Sequence, residues 1–182
     1  MKYIFYVVIK CNVFIHLFSN QKLEDFMIPE LDLDDNTPII PDINKKNPDG
    51  LKPDGSPINV LIADDSLFVQ KLLVQILKSE QYNILDTASD GEEAIEKFKK
   101  YINKVDLITL DITMPKLDGL AALEEILKIK PSANIIMISA LGREDLVKKA
   151  LTMGAKNYIV KPLNRDKVLS RIKQTVDRIF TE

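Results

Sequence analysis

Residues 58–66 read Ile-Asn-Val-Leu-Ile-Ala-Asp-Asp-Ser, and the pattern of this segment indicates how the domain folds. An apolar run of strand length ends in two carboxylates, and a helical pattern of apolar residues follows it directly. The alternation of a short apolar run with a helical pattern continues as far as residue 182. It predicts strands at 58–63, 82–88, 105–110, 133–139 and 156–160. Strands that alternate with helices in this way indicate an α/β domain, a parallel sheet with helices on both faces.

Chemically active side chains stand at or directly after the ends of four of the predicted strands. Asp64 and Asp65 end the first strand, Asp111 the third, Ser139 the fourth and Lys161 the fifth. The carboxyl ends of parallel strands share one edge of a sheet, which is where ligands bind in such folds. Three carboxylates repel one another and favour a divalent cation, whereas a lysine favours an anion. The pattern therefore predicts a site for a phosphoryl group and a hard metal ion.

Each motif taken alone also has a simpler interpretation. One carboxylate of the acidic pair could be the N-cap of the next helix, with Ser66 as a competitor for that role. Asp111 could belong to an ordinary loop, in which Pro115 breaks the strand and Gly119 allows a turn. The combination favours a functional site, because four strand ends that all carry reactive side chains are hard to produce by chance.

Residues 58–182 resemble the response-regulator receiver domain of two-component signalling, and within that family the single-domain chemotaxis regulators. The resemblance uses five separate segments in the family's order. These are the acidic pair Asp64-Asp65, Asp111 with the continuation Met114-Pro115-x-x-Asp118-Gly119, then Ser139-Ala140, Tyr158 and Lys161-Pro162.

The resemblance implies a flavodoxin-like (βα)5 fold with strand order 2-1-3-4-5, and it implies roles for the site residues. Asp111 would be the phospho-acceptor. Asp65, Asp111 and the backbone carbonyl of Thr113 would bind Mg²⁺ directly, and Asp64 would act mainly through water. Lys161 would hold an oxygen of the phosphoryl group. Mg²⁺ suits such an oxygen-rich site because it prefers an octahedral shell that keeps several waters.

The resemblance also implies a switch. Ser139 would hydrogen-bond a phosphoryl oxygen by moving inward, and Tyr158 would rotate into the space left beside the fifth strand. The output surface would be the fourth helix, the fifth strand and the fifth helix. Thr113 would flank the path of the water that hydrolyses the phosphate, and the bond between Lys161 and Pro162 would be cis.

The expected partners are proteins. No histidine lies in residues 58–182, and the chain's one histidine is His16, so the donor should be a separate histidine kinase. A flagellar motor switch component is the expected downstream partner, and a phosphatase is possible. The formal net charge of −2 gives no attraction to nucleic acid. We expect a cytoplasmic monomer whose partner binding depends on phosphorylation.

Other functions remain open. A receiver of this kind could be a relay intermediate, a phosphate sink, or an adaptor that does not depend on phosphorylation. It would catalyse only its own phosphorylation and dephosphorylation, so it is not expected to be an enzyme. A nucleotide-binding enzyme is disfavoured, because no glycine-rich phosphate loop follows the first strand and acids stand there instead.

The first 57 residues lie outside the resemblance. Residues 1–27 begin as an apolar leader that Lys10, Asn12 and His16 interrupt, too polar for a predicted membrane span. They could be an artefact of an upstream start, a signal or interfacial anchor, or a packed strand. Residues 28–57 hold six of the nine prolines and seven acids against three lysines, which predicts a disordered linker. Residues 58–182 would form the receiver domain.

Overall fold

The structure is a computed structural model that describes residues 3–9, 12–18, 48–140 and 144–181. The chain divides into two compact units, Met1–Lys45 and Lys46–Glu182. In the first unit, β1 (Tyr3–Ile9) pairs antiparallel with β2 (Asn12–Phe18). A strand was one of the three interpretations of this segment. Its assignment as a leader stays a prediction.

The second unit contains five strands and five helices among the described residues. The strands are β3 (Asn59–Ala63), β4 (Asn83–Ala88), β5 (Leu107–Asp111), β6 (Ile135–Ser139) and β7 (Asn157–Val160). The helices are α1 (Leu67–Lys78), α2 (Gly91–Lys100), α3 (Gly119–Ile129), α4 (Glu144–Met153) and α5 (Arg165–Thr181). None of the helices in the described part combines the length and the apolar character that a membrane span requires.

All five strands of the second unit run parallel, in the order β4-β3-β5-β6-β7. Counted within this unit, the order is 2-1-3-4-5, which confirms the predicted flavodoxin-like arrangement. The order reverses between β3 and β5. Asp64 directly follows β3, and Asp111 is the last residue of β5. This switch point opens a crevice at the carboxyl edge of the sheet.

The core forms two layers, one on each face of the sheet. Alternate residues of a strand point to opposite faces, so Leu61 joins one layer while Val60 and Ile62 join the other. The first layer packs under α2, α3 and α4, and the second under α1 and α5. Because both faces are covered, the central strands β3, β5 and β6 are mostly apolar on both sides, as expected for a parallel sheet.

The buried stripe of α1 differs from the predicted one. The helical spacing of the apolar pairs Phe68/Val69, Leu72/Leu73 and Ile76/Leu77 predicts a buried face that includes Phe68, yet its side chain is 74% exposed. The buried positions include Gln70, Leu73 and Leu77, a stripe that begins two residues later with a polar residue. Phe68 lies on the solvent side of α1, beside the exposed Leu67.

Residues 48–57, predicted as the end of the disordered linker, belong to the second unit and pack against the rest of it. The Gly50 amide donates to the Glu80 carbonyl, the Ile58 amide donates to the Gly50 carbonyl, and each bond is 2.8 Å long. Lys52 forms an ion pair with Asp106 at 2.9 Å. These contacts place the start of the folded unit before Ile58. Residues 28–47 of the predicted linker lie outside the described residues.

One buried hydroxyl of the sheet has no hydrogen-bond partner in the described structure. Thr109 is 1% exposed in the middle of β5, and its Oγ1 is unsatisfied. We expect Thr109→Val to raise the free energy of unfolding by about 1 kcal/mol, because a buried unpaired hydroxyl costs about 1–3 kcal/mol. Urea denaturation checks this. Thr109→Ser, which keeps the hydroxyl and loses the methyl group, should destabilise the fold. A destabilised valine variant would mean that the hydroxyl is satisfied, for instance by water.

Candidate functional site

Parallel pairing brings the predicted site residues to one edge of the sheet. Asp111, the last residue of β5, stands in register with Ile138, one residue before Ser139. Ser139 pairs with Val160, one residue before Lys161, and the Lys161 amide donates to the Ser139 carbonyl at 2.8 Å. Side chains far apart in sequence thus meet because each follows, or ends, a neighbouring strand.

The acidic pair is held by the start of α1. Ser66 is the N-cap, since its hydroxyl accepts from the Val69 amide at 3.5 Å, so neither aspartate caps the helix. Asp64 is 1% exposed, and its Oδ1 accepts from the Ser66 amide at 3.0 Å. Asp65 is exposed. One carboxylate therefore faces the interior of the site and the other faces its opening.

Gln70 supports this loop and was missed in the sequence. Its Nε2 donates to the backbone carbonyl of Asp64 at 2.7 Å and to that of Ala88 at 3.1 Å. The Asp64 amide also donates to the Ala88 carbonyl, at 3.0 Å. The only signal was a glutamine at the spacing of the apolar residues of α1.

Lys161 bridges two buried carboxylates. Its Nζ lies 2.8 Å from Asp64 Oδ2 and 3.0 Å from Asp111 Oδ2. The contact of Lys161 with Asp111 is also a hydrogen bond. Its contact with Asp64 Oδ2 is an ion pair that lacks the geometry of a hydrogen bond. The bond between Lys161 and Pro162 is cis, as the family resemblance implies. The lysine thus supplies the positive charge that the predicted anion site requires.

Burial and charge act in opposite directions on these groups. Burial raises the pKa of Asp111, and the nearby Asp64 carboxylate adds to this, while Lys161 opposes it without cancelling it. For Lys161, burial lowers the pKa, but the contacts with the Asp64 and Asp111 carboxylates outweigh burial, so the net pKa is raised. The metal-free site therefore holds a firmly protonated lysine beside an aspartate whose ionisation is costly.

The three aspartates fit a hard divalent cation. Asp64, Asp65 and Asp111 each offer a carboxylate oxygen within 4.8 Å of the other two. Asp111 Oδ1 is buried and has no hydrogen-bond partner among the described residues, so it has an open coordination site. Oxygen ligands of this kind suit Mg²⁺. Thr113, the predicted carbonyl ligand, is exposed in the loop after Asp111, and its role stays a prediction.

The close packing of α3 against the end of β5 requires a glycine at position 119. A Cβ added to it would lie 1.8 Å from the Asp111 carbonyl oxygen and 2.9 Å from the Ile112 Cα. Its amide donates to the Ile112 carbonyl at 2.9 Å, and Asp118 caps α3. The glycine of the Asp-Gly motif thus lets α3 begin directly behind Asp111.

The two predicted switch residues are in contact. Ser139 is fully buried, and Tyr158 on β7 is 7% exposed. Burial raises the pKa of the Tyr158 phenol, and a side-chain hydrogen bond with Ser139 partly offsets this. The Tyr158 side chain therefore lies buried beside Ser139. Their roles in switching stay predictions.

Comparison with known proteins gives one family. Residues 60–173 match the family described as the response regulator receiver domain. A chemotaxis protein CheY of Treponema pallidum is 58% identical over 132 residues, which cover 72% of this chain and 92% of that protein. A chemotaxis protein CheY of Bacillus subtilis is 42% identical over 118 residues, covering 65% of this chain and 97% of its own.

Solved structures of the same family are similar to this chain. A crystal structure of the CheX–CheY–BeF3–Mg complex from Borrelia burgdorferi is similar with a TM-score of 0.70 and 52% identity, covering 75% of this chain and all of that one. The response regulator domain of Thermotoga maritima CheB gives a TM-score of 0.60 at 34% identity, covering 69% of this chain and 97% of that one. The first of these structures contains Mg²⁺.

Proposed function

The chain belongs to the response-regulator receiver family, and from that premise we propose that it is a two-component switch phosphorylated on Asp111. The observation that carries the proposal is the grouping of Asp64, Asp65 and Asp111 around Lys161 at the switch point of the sheet. Carboxylates for a metal, a cation for a phosphoryl oxygen and a buried acceptor carboxylate are the parts that phosphoryl transfer requires.

In the proposed reaction, an oxygen of the Asp111 carboxylate attacks the phosphorus of a donor. The new bond joins that oxygen to phosphorus, and the bond from phosphorus to the donor breaks. Asp64, Asp65 and Asp111, with the Thr113 carbonyl, would hold Mg²⁺, which when bound neutralises charge on the transferring group. Lys161 is placed to move from Asp111 to a phosphoryl oxygen. Most of the rate would come from positioning and electrostatics.

We propose a histidine kinase as the donor. Residues 58–182 contain no histidine, so a phosphohistidine must come from elsewhere. Family membership supports this assignment, and the similarity to chemotaxis proteins favours a chemotaxis role. A cytoplasmic monomer is the form in which we expect the protein to act.

The proposed output passes through Ser139 and Tyr158 to the face formed by α4, β7 and α5. Leu151 on α4 and Val160 on β7 are 44% and 46% exposed, so this face offers apolar contacts to a partner. The acyl phosphate adds about two negative charges and several acceptor oxygens beside Ser139. A flagellar motor switch component is the proposed downstream partner. A phosphatase is a further proposed partner, and the complex of CheX with the similar CheY of Borrelia burgdorferi supports a protein partner for this chain.

The test is intact-protein mass spectrometry after incubation with acetyl phosphate, with Mg²⁺ and with EDTA. We expect one phosphate adduct with Mg²⁺ and none with EDTA, because three carboxylates around the acceptor oppose an incoming anion until a cation neutralises them. A calorimetric control should show Mg²⁺ binding to the same sample. Mg²⁺ binding without any adduct would favour the adaptor function, and an adduct that forms equally in EDTA would contradict the proposed site.

A further inference from the structure

A further buried carboxylate, outside the aspartate cluster, lies at the start of α2. Asp90, the N-cap of α2, is 4% exposed. Its Oδ1 accepts from the Glu93 amide at 2.8 Å, and its Oδ2 lies 2.6 Å from Lys116 Nζ. Lys116 stands in the acceptor loop, residues 112–118, which joins Asp111 to α3. The pair therefore ties α2 to the loop that follows the phospho-acceptor.

A backbone contact ties the same two elements a second time. The Gly91 amide at the start of α2 donates to the Leu117 carbonyl at 3.2 Å. A Cβ on Gly91 would lie 2.3 Å from that carbonyl oxygen, so the approach requires glycine. Lys116 itself has a φ of 59°, a left-handed conformation that costs a lysine energy. The loop is thus held in a conformation that it would not favour by itself.

The acceptor loop is also fixed where it leaves β5. The Gly119 amide donates to the Ile112 carbonyl at 2.9 Å, while Lys116 and Leu117 are held by α2. Only Thr113, Met114 and Pro115 lie between these fixed points. Thr113 is the proposed carbonyl ligand of Mg²⁺, so its position depends on both attachments.

We propose that Asp90 and Lys116 are positioning residues that form an ionic latch on the acceptor loop and thereby set the affinity of the site for Mg²⁺. The proposal rests on the proposed function, because it assigns the metal site to Asp111 and Thr113. Without the latch, the strained Lys116 backbone can relax and the Thr113 carbonyl loses its fixed place. Residues that orient metal ligands from outside the ligand shell typically change metal affinity 10- to 100-fold when they are replaced.

Lys128 on α3 provides a matched control. It pairs with Glu124 at 2.9 Å and with Glu125 at 2.8 Å, and all three side chains are at least half exposed. Exposed ion pairs of this kind contribute little. In the latch, by contrast, Lys116 is exposed but Asp90 is buried, so loss of the lysine leaves a buried carboxylate oxygen without its partner.

The experiment compares Asp90→Asn, Lys116→Met, the double variant, Lys116→Arg and Lys128→Met. Asparagine is as good an N-cap as aspartate, so Asp90→Asn removes the charge and keeps the cap. One measurement is Mg²⁺ affinity by titration calorimetry. The other is hydrogen exchange of the peptide covering residues 112–118 in the metal-free protein, which needs neither Mg²⁺ nor phosphate.

We expect Asp90→Asn and Lys116→Met each to weaken Mg²⁺ binding about tenfold, the low end of the range given above. Each should also speed hydrogen exchange in the acceptor loop. The double variant should be no worse than either single one, because the two residues act through one contact. Lys116→Arg should behave like the wild type, and so should Lys128→Met.

A simple effect of net charge would give a different pattern. Loss of the Lys116 cation would strengthen Mg²⁺ binding, and loss of the Asp90 anion would weaken it. Opposite signs of this kind would overturn the latch, as would unchanged exchange in residues 112–118. If the wild type binds Mg²⁺ but takes no phosphate from acetyl phosphate, the proposed function fails. The hydrogen exchange of residues 112–118 and the Mg²⁺ affinity of the variants still test the latch in that case.

Discussion

Asp111→Asn is expected to abolish phosphate incorporation from acetyl phosphate and from a histidine kinase. The amide has nearly the shape of the carboxylate, so the fold is retained, but its neutral oxygen cannot attack phosphorus to form an acyl phosphate. It also removes one of the three charges that fit a divalent cation. Intact-protein mass spectrometry should show one adduct on the wild type with Mg²⁺ and none on the variant.

The same substitution should stabilise the metal-free protein at neutral pH. The pKa of Asp111 is raised in the folded state, mainly by burial, so its ionised form is less stable folded than unfolded. That cost is fully present above the folded-state pKa and disappears below the unfolded-state pKa. The asparagine variant avoids the cost, so its advantage in free energy of unfolding should shrink as the pH is lowered through this window.

A matched control separates the two effects. Asp166 has an 89% exposed side chain in the first turn of α5, so Asp166→Asn changes the same functional group away from the site. It should be phosphorylated normally and show no comparable gain in stability. Normal phosphate incorporation by Asp111→Asn would remove Asp111 from its proposed role. A variant less stable than the wild type at neutral pH would show that the bond to Lys161 outweighs burial.

Gly119→Ala is expected to lower the free energy of unfolding by about 3 kcal/mol, the upper end of the usual cost of overpacking. The new Cβ would lie 1.8 Å from the Asp111 carbonyl oxygen, which belongs to a central strand and has little freedom to move. Either α3 or the end of β5 must shift. Because β5 carries the phospho-acceptor, we also expect slower phosphate incorporation in the folded variant, measured beside urea denaturation.

Gly55→Ala is the control for this substitution. Gly55 has a φ of +81° and nothing within 4 Å of its added Cβ, so alanine there meets backbone strain but no steric clash. A loss of about 1 kcal/mol with unchanged phosphorylation is expected, because left-handed geometry costs an L-residue that amount. If both alanine variants lost equal stability and kept equal phosphorylation, the close approach of Gly119 to Asp111 would have no effect on the site.

The fold and the main site could be predicted because both rest on local patterns. Apolar runs of strand length and helical spacing of apolar residues indicate βα units wherever they lie in the chain. Asp64, Asp111, Ser139 and Lys161 each stand at or directly after the end of such a run, and parallel pairing alone brings strand ends together. The resemblance added the strand order, which periodicity does not contain.

Other features depend on contacts between residues that are distant in sequence, which short-range patterns do not show. Asp90 and Lys116 are 26 positions apart, and no spacing rule joins them. Phe68 and Gln70 share one helix, yet the extent of the core beneath α1 determines which of them is buried. The packing of Gly50 on Glu80 overrides a composition typical of disorder. By itself the sequence determined which elements form and which side chains end them, because these are short-range properties of the chain. The support of the site, from Gln70, Gly119 and the contact of α2 with the acceptor loop, arose only when distant segments packed together, because those contacts depend on three-dimensional proximity.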